Sequence, residues 1–243
     1  MIYHDALVPG ILLRRYKRFF ADVRLDDGRE VTAHCPNTGS MKSVNVPGCR
    51  VWLSPSDNPK RKLAWTWELI ELPEASGQVA LASIHTGRAN RIVETALEDG
   101  KLDALAGFDT RRREVTVDDS RLDFLLEDSR SGRRAYLEVK QVTLLEDDGH
   151  GYFPASVSTR GLKHLQSLEA LARRGERAVL VFCVAHQGID DVGPATHIDP
   201  AYAAGLHAAV AQGVEVLAYG IGIGWEASAP TSIFIERALD VRL

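Results

Sequence analysis

Only three cysteines occur in the 243 residues, Cys35, Cys49 and Cys183, an odd number without metal-ligand spacing. That excludes a disulfide framework and a structural zinc site and makes each thiol a small core residue. Cys35 follows His34, but neighbours on a strand point to opposite faces, which argues against a nucleophile and base acting together there. Long apolar runs are missing: the longest, AVLVFCVA at 178–185, has the length of a buried strand, not of a membrane span. The opening MIYHDALVPG has no signal-peptide pattern, and there is no repeat or low-complexity tract. A cytoplasmic globular chain is expected, with 45% hydrophobic residues to fill one large or two modest cores.

Excess positive charge is also absent. A net charge of −4 is unusual for a protein that holds nucleic acid by bulk electrostatics, so distribution matters more. Residues 1–83 carry 11 Lys and Arg against 9 Asp and Glu, whereas residues 84–243 carry 18 against 24. In the first part Arg14, Arg15, Lys17 and Arg18 interleave with Tyr16, Phe19 and Phe20, and Lys60, Arg61 and Lys62 follow the turn SDNP. Cations beside aromatics suit a groove that tracks a phosphate backbone and stacks bases; the competing reading is an ordinary outer barrel surface. The same segment reads as all-β, with strands at 10–20, 21–25, 30–34, 49–54 and 65–72 separated by DDG, NTGS and SDNPK turns. Five short strands suit an OB-like barrel over residues 1–80. At least two of Trp52, Trp65 and Trp67 are expected in its core. The loop from Pro36 to Met41 offers donors for a phosphate, or is a plain polar turn.

From about residue 84 the pattern becomes mixed α and β, with a joint expected at 75–82 and an α/β domain over 81–243. RIVETALED at 91–99 puts Ile92, Val93, Ala96 and Leu97 on one helical face and Glu94 on the other. A second helix is expected over 158–174, with Leu162, Leu165, Leu168 and Ala172 inward and Ser158 or Thr159 as N-cap. Its other stripe, Arg160, Lys163, His164 and Ser167, would face a phosphodiester. A strand at 178–185, a helix at 200–212 and a strand at 214–219 complete a central sheet flanked by helices.

Between these helices, RLDFLLE at 121–127 and RAYLEVKQVTLL at 134–145 alternate apolar residues around the turn DSRSGR. A hairpin folded about Arg130 and Ser131 sets Asp123 opposite Glu138, with Lys140 about 6 to 7 Å further along on the same face. Leu122, Phe124, Leu137 and Val139 would take the other face. Facing carboxylates repel and call for a proton or a cation. Two carboxylate oxygens plus waters suit Mg2+ or Mn2+, and a neighbouring lysine can act on an attacking water or a developing charge. On its own, ExK also fits a solvated polar strand face.

The spacing of Asp123, Glu138 and Lys140 resembles the PD-(D/E)XK nuclease centre, with Leu122 where a Pro usually precedes the Asp. A longer resemblance surrounds it. HCPNTGSM at 34–41, SDNPKRK at 56–62, TWELIE at 66–71, RLDFLL at 121–126, YLEVKQVTL at 136–144 and STRGLKHLQSL at 158–168 are similar to signature blocks of the sugar fermentation stimulation protein family. Two departures stand out: FPASVSTRG where the family usually reads FPDAVTERG, which leaves Ala155 or Ser156 at an acidic position of the family, and QVTL for NVTL at 141–144.

The resemblance implies a DNA-binding protein, DNA rather than RNA, with an N-terminal OB-like β-barrel and a PD-(D/E)XK nuclease-like α/β domain built on a central mixed sheet. It implies a metal held by Asp123 and Glu138, with the Val139 carbonyl and Glu94 as further ligands, and Lys140 as the residue acting on water. The alternative it leaves open is a DNA-binding regulator in which only the nuclease fold survives.

Overall fold

The computed structural model describes residues 1–56, 58, 60–74 and 77–243. Six strands open the chain: β1 (Val8–Tyr16), β2 (Phe20–Leu25), β3 (Glu30–His34), β4 (Arg50–Pro55), β5 (Trp65–Pro73) and β6 (Val79–Ser83). They are ordered β3-β2-β1-β4-β5-β6, and β3 also pairs with β5 through Ala33–Trp65 and His34–Thr66, so five strands close into an OB-like barrel. Closure removes the free edges that an open sheet of this size would expose. Gly10 allows the tight crossing of β1 over β2, since a Cβ there would lie 2.6 Å from Val23 and 2.8 Å from the Arg24 carbonyl oxygen. Trp67 is fully buried among Leu12, Val23, Ala33, Leu53 and Ile70, and its indole donates to the Leu69 carbonyl at 2.9 Å. Trp52 is buried outside the barrel core, in the cluster that includes Leu69, Leu81 and Ile92, and Trp65 packs against the barrel core only half-buried, so Trp67 alone of the three lies fully within it.

β6 extends the barrel sheet alongside β5, so the boundary expected between residues 80 and 81 falls inside a strand. Of the expected joint at 75–82, Ala75 and Ser76 lie outside the described residues, as do Asp57 and Pro59 of the SDNP turn.

The remainder is a nine-stranded mixed sheet with helices. Its elements are α1 (Arg88–Glu98), β7 (Thr110–Val117), β8 (Ser120–Glu127), β9 (Arg134–Val142), β10 (Leu144–Leu145), β11 (Gly151–Phe153), α2 (Thr159–Arg173), β12 (Arg177–Val184), β13 (Asp191–Pro194), α3 (Pro200–Ala211), β14 (Glu215–Glu226) and β15 (Ala229–Val241). The order is β10-β11-β13-β15-β14-β12-β9-β8-β7, with β12 parallel to both β9 and β14 and the β7–β8–β9 meander antiparallel. α1 starts three residues earlier than its apolar periodicity suggests, at Arg88. β14 and β15 form a long hairpin turned by Ala227 and Ser228, both at positive φ.

Ile92, Val93 and Ala96 of α1 pack against Phe124, Leu137 and Val139 on one face of the sheet, while Leu165 and Leu168 of α2 and Tyr202 and Leu206 of α3 cover the other. Each fully buried large apolar side chain contributes roughly 1.5–3 kcal/mol, so α1 and α2 are clamped to opposite sides of β9. Leu162 and Ala172, expected in the core, are only half-buried.

β8 and β9 pair in the expected register from Glu127–Arg134 to Phe124–Leu137, and there the ladder stops. On its other side β8 loses the rung between Glu114 and Asp123, where Glu114 has φ of 53°. Asp123 is thus without ladder partners on both sides. The kink corrects the assignment of Leu122, which packs with the α2 cluster while Phe124 packs with the α1 cluster.

Candidate functional site

At this break the Asp123 carboxylate replaces backbone as hydrogen-bond partner. Its Oδ2 accepts from the Val139 N–H at 2.8 Å and its Oδ1 from Asn90 Nδ2 at 2.6 Å. Asn90, on the first turn of α1, was not indicated by any spacing in the sequence; the only hint is that it stands one helical turn before Glu94. Glu94 itself is turned to β7, with its oxygens 3.7 Å from Arg111 Nε and 3.5 Å from Arg113 Nη1. The helix carboxylate expected as a ligand is therefore engaged by two guanidiniums, and Asn90 is the α1 side chain in contact with Asp123.

Glu138 is 3% exposed. Its Oε1 accepts from Lys140 Nζ at 2.5 Å and from His164 Nδ1. Its Oε2 is buried and has no hydrogen-bond partner among the described residues. Burial alone would raise the Glu138 pKa, but the His164 hydrogen bond and the Lys140 charge outweigh it and hold the carboxyl below its ordinary value. Asp123 goes the other way: burial first, then the nearby Glu138 charge, raise its pKa despite the Val139 and Asn90 hydrogen bonds. Burial and the neighbouring charges thus push the two carboxyls in opposite directions, Glu138 down and Asp123 up.

α2 contributes differently from the stripe read in the sequence. Its N-cap is Ser158, whose hydroxyl accepts from Gly161 N at 3.0 Å. Arg160 and Lys163 are exposed, and Lys163 is tied to Asp119 at 2.8 Å. His164 and Ser167 are buried, a correction to their expected place on the phosphate-facing stripe; Ser167 pairs with the Ser120 hydroxyl at 2.7 Å. The helix crosses β8 and β9 closely enough that its i, i+4 polar residues become part of the sheet contact.

The barrel cations divide as well. Arg14 is paired with Asp22 at 2.8 Å and lies over the Tyr16 ring, which stacks on Phe20. Arg15 is spent on the chain itself, donating to the carbonyls of Arg18, Asn37 and Gly39 and so holding the 37–39 loop. Lys17 and Arg18, both at positive φ, form the exposed β1–β2 turn with Phe19, which is 47% exposed. Lys60, Arg61 and Lys62 are exposed in the β4–β5 loop, and Arg61 donates to the Thr66 hydroxyl at 3.1 Å. Barrel closure through His34 sets these two basic loops side by side, because His34 pairs with Phe20 on one flank and Thr66 on the other.

The 37–41 loop then leads to the sheet. A cleft of about 260 Å³ runs between Asn37–Met41 and Pro154–Ser158, with Gln141 and Thr143 on its floor. Ser40 bridges it by donating to the Ala155 carbonyl at 2.8 Å, and Gln141 donates to the Ser83 carbonyl at 2.5 Å. The cleft therefore brings the 37–41 loop of the barrel against Gln141 and Thr143, just beyond Lys140 on the chain.

Residues 13–81 match the family model described as the SfsA N-terminal OB domain, and residues 87–226 match the sugar fermentation stimulation protein RE domain. The chain belongs to the sugar fermentation stimulation protein family. A homologue of that name from Chromohalobacter salexigens is 62% identical over 241 residues, covering 99% of this chain and 94% of that protein. One from Shewanella baltica is 51% identical over 245 residues and the full length of both. The solved structure of Pyrococcus furiosus SfsA in complex with Ca2+ superposes with a TM-score of 0.84 at 30% identity, covering 100% of this chain and 98% of that one. The relative thus shares the barrel and the mixed sheet of this family member across its whole length.

Proposed function

We propose that this family member binds DNA and hydrolyses phosphodiester bonds with the help of a divalent cation, Mg2+ or Mn2+, at Asp123, Glu138 and Lys140. The observation that carries the reading is the buried, unpartnered Oε2 of an ionised Glu138 beside Asp123. A charged oxygen without a donor is costly to bury, and a hard cation answers it with the chemistry that carboxylate and carbonyl oxygens favour. Among the described residues no group of three or more His, Cys, Asp or Glu is placed to hold a metal. The oxygen donors that would hold the ion are Asp123, Glu138 and the Val139 carbonyl, a sparse set that suits an ion keeping much of its water shell. That the Pyrococcus furiosus relative takes Ca2+, another oxygen-seeking ion, supports this choice.

When bound, the cation supplies a polarised phosphoryl oxygen and an activated water. The chain's own groups do the rest. Lys140, only 14% exposed, is anchored on Glu138 and held where it can act on the attacking water or the developing charge. Exposed Arg160 stands ready for a phosphate, and the Lys17–Phe19 and Lys60–Lys62 loops grip the strand, the two loops through which OB barrels commonly meet nucleic acid. Labelled DNA and RNA, single- and double-stranded, incubated with Mg2+, Mn2+ or EDTA, test the reading. Metal-dependent cutting that disappears in Asp123→Asn is expected; no cutting of any substrate removes it.

The second reading, a DNA-binding regulator without hydrolysis, also has an observation in its favour. Glu138 is already neutralised by Lys140, and both Asp123 oxygens already accept hydrogen bonds. Under that reading DNA binding is the same in EDTA and Mg2+ and no product forms.

Two further results are expected. Since Asp123 must lose its proton to bind a cation and its pKa is raised, calorimetric Mn2+ affinity should begin to fall on acidification at a higher pH than an ordinary Asp would dictate. An Asp123→Asn variant with the wild-type affinity and pH dependence contradicts a role for Asp123 as ligand. For the barrel, replacing Lys17, Arg18, Lys60 and Lys62 together by Ala should weaken DNA binding for all sequences alike. Each lost contact should remove about 0.7 to 0.9 from the slope of log affinity against log salt. A wild-type slope in that variant moves the grip elsewhere.

A further inference from the structure

We propose that His164, backed by Arg160, is a positioning residue that turns Glu138 so that Oε2 alone is presented to a cation. The inference rests on the metal reading of the site given above and assigns a role that the polar stripe of α2 did not suggest.

Both hydrogen bonds made to the Glu138 carboxylate fall on one oxygen. Oε1 takes both Lys140 Nζ and His164 Nδ1, while Oε2 is buried and left without a partner. A carboxylate free to rotate would share two donors between its two oxygens, since a buried, bare and charged oxygen is costly. The arrangement holds because the imidazole is itself fixed. His164 is 6% exposed, and Arg160 Nε reaches its Nε2 at 3.5 Å. An ionised carboxylate oxygen only accepts, so the His164 Nδ1 that meets Glu138 Oε1 carries the ring proton, with Arg160 beside Nε2 and Lys140 Nζ also 3.5 Å from Nδ1. Arg160 and His164 lie one turn apart on α2, and α2 is clamped by Leu165 and Leu168 to the face of the sheet opposite α1. The carboxylate is thereby oriented by a helix on one side of the sheet, while Asp123 is oriented by Asn90 from the helix on the other. Outer groups of this kind fix the direction of a ligand, and their loss typically weakens metal binding about 10- to 100-fold.

Calorimetric titration of the full chain with Mn2+ in the absence of nucleic acid tests the proposal. His164→Leu, which keeps bulk but no donor, is expected to lose about 10- to 100-fold in affinity. His164→Asn places an amide N–H where Nδ1 stands and should recover most of it. Arg160→Met, an exposed position that does not touch Glu138, should weaken binding measurably with an unchanged melting temperature, and it remains informative if His164→Leu fails to fold. Wild-type affinity in folded His164→Leu, or equal losses in His164→Leu and His164→Asn, overturns the positioning role while leaving the metal site in place. A wild-type protein that takes up no Mn2+ overturns the metal site itself, and the proposal with it.

Discussion

Under the hydrolytic function proposed above, Lys140→Met is expected to lower phosphodiester cleavage by about 10²- to 10⁴-fold, the range over which a single positioned proton-transfer group acts. Methionine keeps most of the stem and removes the ammonium, which rests on Glu138 Oε1 at 2.5 Å. With that charge gone, Glu138 keeps its His164 hydrogen bond, and a cation at Oε2 meets less positive charge nearby. Mn2+ binding should therefore persist or tighten, and DNA binding in EDTA should be unchanged. Cleavage rate and Mn2+ calorimetry on the same preparation check this. Retained cleavage takes Lys140 out of the chemistry; loss of cleavage together with loss of metal binding reduces the lysine to a prop for Glu138.

The largest effect on stability is expected outside the Asp123–Glu138 pair, at Glu68. This residue of β5 is 0% exposed and takes Arg88 through both oxygens, at 2.6 and 3.0 Å, while the Ser54 hydroxyl donates to it at 2.8 Å. Arg88, 20% exposed, lies over the Tyr3 ring and opens α1. Removing one partner of a buried ion pair strands the other, and Glu68→Ala should cost about 3–5 kcal/mol in denaturant unfolding. Replacing both, Glu68→Leu with Arg88→Met, should recover much of the loss, because an apolar pair of similar volume pays no desolvation. A single variant as stable as the wild type would show that the pair contributes nothing to holding barrel and sheet together.

Much of this molecule can be read from local sequence because its strands are short and their turns explicit. The barrel strands fall within a few residues of their alternation patterns, and the DSRSGR turn is enough to fix the β8–β9 register up to Phe124–Leu137. The reading fails where the backbone departs from regularity without a glycine or proline to announce it. Glu114 takes a positive φ and breaks the ladder at Asp123, which sends Leu122 to the wrong side of an alternating strand. The β14–β15 hairpin turns on Ala227 and Ser228 instead of an Asn-Gly pair, so the sheet runs well past Tyr219, where the apolar pattern stops. His164 was hidden for another reason. At i, i+3, i+4 spacing a charged stripe looks solvated, and only the third dimension shows that one member of it meets a buried carboxylate.

Helix α1 carries a consequence for how the two halves communicate. Arg88 is locked to the barrel through Glu68, and Asn90, two residues later and about 3 Å along the axis, is locked to Asp123. The helix is thus a short rigid link, so any displacement of the barrel relative to the sheet reaches Asp123 through only two side chains, Arg88 and Asn90.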